Sequence, residues 1–148
     1  MKYESNLNRV ISVIQKKLSV ESINELTKEI ATNIYNSSVD RIFNKGLNVK
    51  GTKIGKYKKS TKLIRQRKGL QTAFVDLTFT GLFKRYYKLR KLGFKGYTIG
   101  FPANNLYGEY ITVWNEKRFK CKIFGITKED NKMVDDLIKK FIIKVNKK

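Results

Sequence analysis

The chain contains no histidine, one cysteine and one proline. Without histidine there is no imidazole base, no histidine-dependent triad and no histidine metal ligand. With Cys121 alone, an intramolecular disulfide and a cysteine-rich zinc site are excluded. One unpaired thiol and the lack of a secretory-type apolar segment fit a reducing compartment. No apolar run approaches the roughly 20 residues that span a bilayer, so no membrane partner is expected. Acids are also scarce: 12 Asp and Glu stand against 33 Lys and Arg, a net charge of +21 over 148 residues. Such an excess points to a polyanionic partner or neighbourhood and says nothing of the fold.

What is present suffices for a folded body. Hydrophobic residues make up 41% and aromatics 12%, too many for a disordered tail. The length suits one domain, 1–148, and a chain of this size hides roughly 70% of its extended surface on folding. The charge is unevenly spread. Residues 1–40 hold five bases and five acids. Residues 41–108 hold seventeen bases and a single acid, Asp76, a net of +16. Residues 109–148 hold eleven bases and six acids.

Periodicity predicts an α+β fold with N-terminal helices, a small antiparallel sheet, a long basic loop and a C-terminal helix. Leu7, Val10, Ile11, Ile14 and Leu18 step at helical spacing behind Ser5 as N-cap. A second helix opens on the capping-box pattern Ser22-Ile23-Asn24-Glu25, carries Ile23, Leu26, Ile30 and Ile34, and stops at Gly46, so that 1–45 is helical. The stretch 46–72 is punctuated by Gly46, Gly51, Gly55 and Gly69 and reads as an extended basic loop. Structureless loops of this length are normally functional or ordered by a partner. Residues 73–126 read as sheet and short helix. Residues 73–79 form one strand, Tyr97, Ile99 and Phe101 alternate as a second, and Phe119, Cys121 and Ile123 as a third, with a short helix over 106–114. Thr127 caps a C-terminal helix over 127–146, with Glu129 and Asp130 in its first turn and lysines toward its end.

No constellation of chemistry stands out. No glycine-rich loop has P-loop spacing. The carboxylates do not cluster as a two-metal nuclease requires. Asp76 is isolated among bases and reads as a turn or cap acceptor, and with Thr78, Thr80 and Gly81 it is expected to fix the turn into the hairpin. The candidate polyanion-facing or neighbour-clamping set is Lys53, Lys56, Lys58, Lys59, Lys62, Arg65, Arg67 and Lys68, because no acid interrupts it. The basic, aromatic-interleaved stretch 83–91 could also combine base stacking with phosphate contacts, though sheet packing is the favoured account of its rings.

The run Ile64-Arg65-Gln66-Arg67-Lys68-Gly69-Leu70-Gln71-Thr72, followed by Val75-Asp76-Leu77-Thr78-Phe79-Thr80-Gly81-Leu82-Phe83, resembles tailed-phage virion morphogenesis proteins: tail-completion, tail-terminator and head–tail connector-type neck proteins. Their recurring piece is an apolar-Asp-x-Thr-Gly-x-Leu stretch leading into a β-hairpin. A later Arg-Pro-Phe-Leu-x-Leu-Thr-x-x-Asp segment opens their last helix. Here the counterpart from Arg118 to Asp130 lacks the proline and carries extra residues. The resemblance spans about two thirds of the chain, from the second helix onward. It implies a non-enzymatic structural subunit of the virion, without cofactor or metal, assembled in the host bacterial cytoplasm. Such a subunit forms a homo-oligomeric ring in the neck or tail, links portal to tail around the DNA channel, and contacts other neck, portal or tail proteins and the passing genome. A stand-alone, sequence-nonspecific nucleic-acid-binding protein is the alternative.

Overall fold

A serine hydroxyl starts the first helix of the structure, a computed structural model that describes residues 19–93, 96–102 and 106–146. The helix expected behind Ser5, from Leu7 to Leu18, lies outside the described residues. Helix α1 (Val20–Val39) is capped by Ser19, whose Oγ accepts from the Ser22 amide at 3.1 Å. The expected cap, Ser22, therefore sits inside the first turn. Both serines offer the oxygen that an orphan amide needs, and the earlier one wins because residues 20–22 continue the helix.

The helix runs into one wide π-helical turn (Asp40–Asn44), closed by the Lys45 amide donating to the Asp40 carbonyl at 3.0 Å. This widening buries Arg41, Ile42 and Phe43 together. Gly46 ends it, as expected. Its φ is +64°, and a Cβ there would lie 2.6 Å from both the Phe74 ring and the Val75 carbonyl oxygen. Only glycine satisfies both constraints.

Residues 46–72 are not one extended loop. Leu47 and Lys53 form an isolated antiparallel bridge around a turn held by Asn48, whose Oδ1 accepts from the Lys50 and Thr52 amides. Helix α2 (Lys59–Arg67) follows. Composition concealed it, because all four glycines flank this helix and none interrupts it.

The strand expected over 73–79 is likewise absent. Its amides find side-chain partners instead of a neighbouring strand. The Phe74 amide donates to Gln71 Oε1, that of Asp76 to Tyr57 Oη, and that of Thr78 to Asp76 Oδ1. A five-residue helix, α3 (Leu82–Tyr86), then begins at Gly81, which has φ +74°. Asp76, Thr78 and Gly81 thus shape the entry to α3 rather than a hairpin turn. Thr80 makes no hydrogen bond there and lines a groove.

The sheet is a two-stranded antiparallel hairpin of β1 (Lys88–Lys91) and β2 (Tyr97–Gly100), in register with Leu89 opposite Ile99. Its tight end is closed by the Leu92 amide donating to Gly96. Helix α4 (Leu106–Phe119) is longer than expected. The strand expected at Phe119–Ile123 does not form: Lys120 adopts φ +51°, and the Ile123 and Phe124 amides are captured by Glu116 Oε1 at 2.9 and 3.0 Å. Helix α5 (Lys128–Asn146) begins as predicted on Thr127. Thr127 Oγ1 accepts from the Asp130 amide while Asp130 Oδ2 accepts from the Thr127 amide, a reciprocal cap.

Helix α1 packs against the hairpin and α5. Between these elements lies the core of Ile42, Phe43, Ile54, Val75, Phe83, Tyr87 and Ile123. Much of it is aromatic: Phe83 meets Phe101 at 4.7 Å between ring centroids, and Phe43 meets Tyr87 edge-on at 5.7 Å. Arg41 ties this core to the chain before α5, donating to the carbonyls of Leu47, Ile123 and Gly125.

Left-handed backbone costs about 1–2 kcal/mol for a residue with a Cβ. Gly81→Val should lose about that much stability, since nothing crowds a Cβ at Gly81. Gly46→Ala should lose more, because steric overlap adds to strain. Urea denaturation of both variants measures the order; equal losses would contradict this account of Gly46.

Candidate functional site

The chemistry of residues 41–108 turns on one carboxylate. Asp76 is 4% exposed and sits opposite Arg65, which is 1% exposed. Arg65 Nη2 donates to Asp76 Oδ1 at 3.0 Å and Oδ2 at 2.9 Å. Arg65 Nε donates to the Gln71 carbonyl at 2.7 Å, and its guanidinium lies 4.5 Å from the Tyr57 ring centroid. Asp76 also accepts from Tyr57 Oη, Gln71 Nε2 and the Thr78 amide. Both carboxylate oxygens are thus saturated, as a buried charge requires.

Burial pushes the Asp76 carboxyl up, but the hydrogen bonds from Gln71, Thr78 and Tyr57 outweigh it and hold the group below the ordinary carboxylate value. Burial raises the Tyr57 phenol to about 12, so it stays protonated and donates. Asp76 is therefore a structural anion with no free lone pair for a substrate. Among the described residues no three Asp, Glu, Cys or His side chains gather where they could hold a metal ion.

Arg65 belongs to this network and not to the surface. Its place in the predicted polyanion-facing set is corrected: the guanidinium is buried, and among the described residues it is the base that pairs with Asp76. The other seven members, Lys53, Lys56, Lys58, Lys59, Lys62, Arg67 and Lys68, are all exposed. The structure gathers five of them on α2 and its two ends. Lys58 and Lys59 stand at the positive end of the α2 dipole, with no acid in its first turn. None of the seven makes an ion pair among the described residues. Lys53 and Lys56 lie before the helix, on the chain leading from the Asn48 turn.

The inner side of α2 builds a feature that the sequence reading missed. Thr61, Ile64 and Arg65 face α4 across an apolar groove of about 380 Å³. Val75, Leu77, Phe83 and Ile111 form its floor, while Phe79 and Trp114 stand at its mouth. Ile64, Phe79 and Trp114 remain 42–47% exposed. Two bases close over these rings: Lys68 Nζ lies 4.8 Å from the Phe79 centroid and the Arg118 guanidinium 5.0 Å from that of Trp114. A signal existed in α4, where Tyr110, Val113 and Trp114 are apolar on a face other than that of Ile111 and Asn115. Of that face only Trp114 reaches the groove, whose α4 side is otherwise Ile111, Asn115, Arg118 and Phe119. Among the described residues, no helix is long and apolar enough to cross a membrane.

Removing one partner of a buried ion pair costs about 3–5 kcal/mol. Asp76→Asn should lose stability in that range by urea denaturation, whereas Lys62→Gln, at an exposed unpaired position, should stay within about 0.5 kcal/mol. Asp130 is also held below its ordinary value, burial being outweighed by hydrogen bonds from Ser37 and Thr127. Depressed carboxylates stabilise the fold above their unfolded value of about 3.9 and lose that contribution as pH falls through the folded value. The urea midpoint should therefore fall steeply below about pH 4, and less steeply in Asp76→Asn; identical acid limbs would contradict the role given to Asp76. The chain matches no protein-family model, no curated protein and no solved structure.

Proposed function

We propose that this chain is a structural virion protein that forms a ring in the head–tail connector, neck or tail of a tailed bacteriophage and links portal to tail around the DNA channel. The observation that carries the reading is the seven-base exposed set on and before α2, held on a scaffold in which the one acid of residues 41–108 is buried against Arg65. A subunit lining a DNA conduit needs positive charge that neutralises phosphates without reading bases, and it needs no reactive group. The resemblance of Val75-Asp76-Leu77-Thr78-Phe79-Thr80-Gly81-Leu82-Phe83 to the neck-protein pattern supports the same reading.

In this reading the Arg65–Asp76 pair anchors the basic segment and the exposed lysines face DNA or an acidic neighbouring protein. The ring is homo-oligomeric, stands among other neck, portal or tail proteins, and belongs to the virion after assembly in the host cytoplasm. A stand-alone, sequence-nonspecific nucleic-acid-binding protein draws support from the exposed Trp114 beside Arg118, a pairing on which bases stack.

The test is a variant with Lys53, Lys56, Lys58, Lys59, Lys62, Arg67 and Lys68 replaced by Gln or Ser. Its melting temperature should stay within a few degrees of the parent, while particles assembled with it fail to form or lose their DNA. Normal infectious particles would refute the reading. A persistent monomer that binds short DNA tightly, with a steep salt dependence, would favour the nucleic-acid-binding protein.

A further inference from the structure

The α2–α4 groove holds two polar groups that the fold leaves unfinished. Arg65 uses Nε on the Gln71 carbonyl and Nη2 on both oxygens of Asp76, and among the described residues its Nη1 makes no hydrogen bond. Asn115 is 6% exposed and donates from Nδ2 to the Ile111 carbonyl at 2.9 Å, while its Oδ1 accepts from no described residue. Both side chains line the groove. Among the described residues the one sealed polar side-chain atom without a partner is Nε of Arg41, so Nη1 of Arg65 and Oδ1 of Asn115 are reachable from outside. Buried polar groups of this kind normally find a partner.

Charge decides which partner fits. Arg65 is already neutralised by Asp76, so a further carboxylate at Nη1 would be a buried charge without a counter-ion. A neutral carbonyl suits that donor, and an N–H suits Oδ1. A peptide backbone supplies both. The floor of Val75, Leu77, Phe83 and Ile111 accepts apolar side chains. At the mouth, Lys68 and Arg118 lie over Phe79 and Trp114 and form no ion pair among the described residues, and no acid lines the groove. Carboxylates fit there, at the solvated rim.

We infer that the α2–α4 groove binds a short segment of a partner protein in which large apolar side chains are flanked by Asp or Glu. The apolar side chains occupy the floor. A backbone carbonyl and N–H meet Arg65 and Asn115, and the acids meet Lys68 and Arg118. This inference goes beyond the ring reading and does not depend on it.

An apolar cleft with a few convergent polar groups is the usual form of a binding site, and tryptophan and arginine dominate contacts between proteins. Nucleic acid fits the groove less well. Each mouth ring already has a cation against one face, and a mainly aliphatic floor gives bases little to stack on.

The sole tryptophan of the chain stands at the mouth and reports occupancy. Random dodecapeptides lacking Trp, displayed on yeast, are selected against the full chain, and the enriched sequences are synthesised with a fluorescein label. They should carry Leu, Ile or Phe between acids, and they should blue-shift Trp114 emission on binding. Two variants alter only exposed positions: Lys68→Glu/Arg118→Glu and the charge-preserving-elsewhere pair Ile64→Ser/Trp114→Ser. Both should match the wild type by circular dichroism, and each should weaken the peptides about tenfold or more by fluorescence anisotropy.

Peptides that bind Ile64→Ser/Trp114→Ser as tightly as the wild type are held by surface charge alone and would overturn the inference. So would a selection that enriches no apolar–acidic sequence. A dT25 oligonucleotide weakened by Ile64→Ser/Trp114→Ser, with no peptide bound, would assign the groove to nucleic acid. A wild-type oligomer that the same variant dissolves would assign it to a second copy. Either result replaces the partner inferred here.

Discussion

The buried pairing of Arg65 with Asp76 is the constraint on which the middle of this molecule depends. Tyr57, Arg65, Gln71 and Asp76 come from four places in a stretch with no strand and one short helix. Such a stretch has few backbone ladders to define its path, so side chains do the work that a sheet would do elsewhere. A buried ion pair adds little net stability over an apolar pair of the same shape, because desolvation offsets attraction. Here its effect is geometric: it ties α2 to the 76–78 turn, and Arg65 lines the groove between α2 and α4.

Arg41 performs a related task elsewhere in the fold. Its guanidinium bridges carbonyls on either side, at Leu47 and at Ile123 and Gly125, although its Nε is buried without a hydrogen bond. Burial lowers its pKa from the usual arginine value, partly opposed by Tyr87 and Asp130. The core itself holds the stacked and edge-on rings of Tyr35, Phe43, Phe83, Tyr87, Phe101 and Phe124. Carbonyl-rich turns and a carboxylate are thus each held by a buried arginine.

This use of charge has a consequence for the surface. Residues 41–108 contain one acid, and the fold commits it to the interior. Among the described residues Lys45, paired with Asp40, is the one exposed base of that region in an ion pair, and Glu21, Glu25 and Glu29 of α1 form none. The separation leaves the middle of the chain with an exposed basic surface, the feature on which the proposed ring rests.

Local signals were legible where local physics decides. Thr127 with Asp130 announced the α5 cap, Gly46 the end of the first helical unit, and the alternation of Tyr97 and Ile99 the second strand. Elsewhere the outcome depended on partners far along the chain. The β-branched and aromatic run 73–79 has strand propensity, but Gln71, Tyr57 and Asp76 took its amides before any strand could. Glu116 did the same at Ile123. By itself the sequence determined the α+β composition, the Thr127 cap and the concentration of positive charge in the middle of the chain, because each follows from spacing or counting. Only the tertiary structure decided that Arg65 turns inward while its neighbours face water and that Trp114 and Phe79 line one groove, because each depends on which residues meet across the fold.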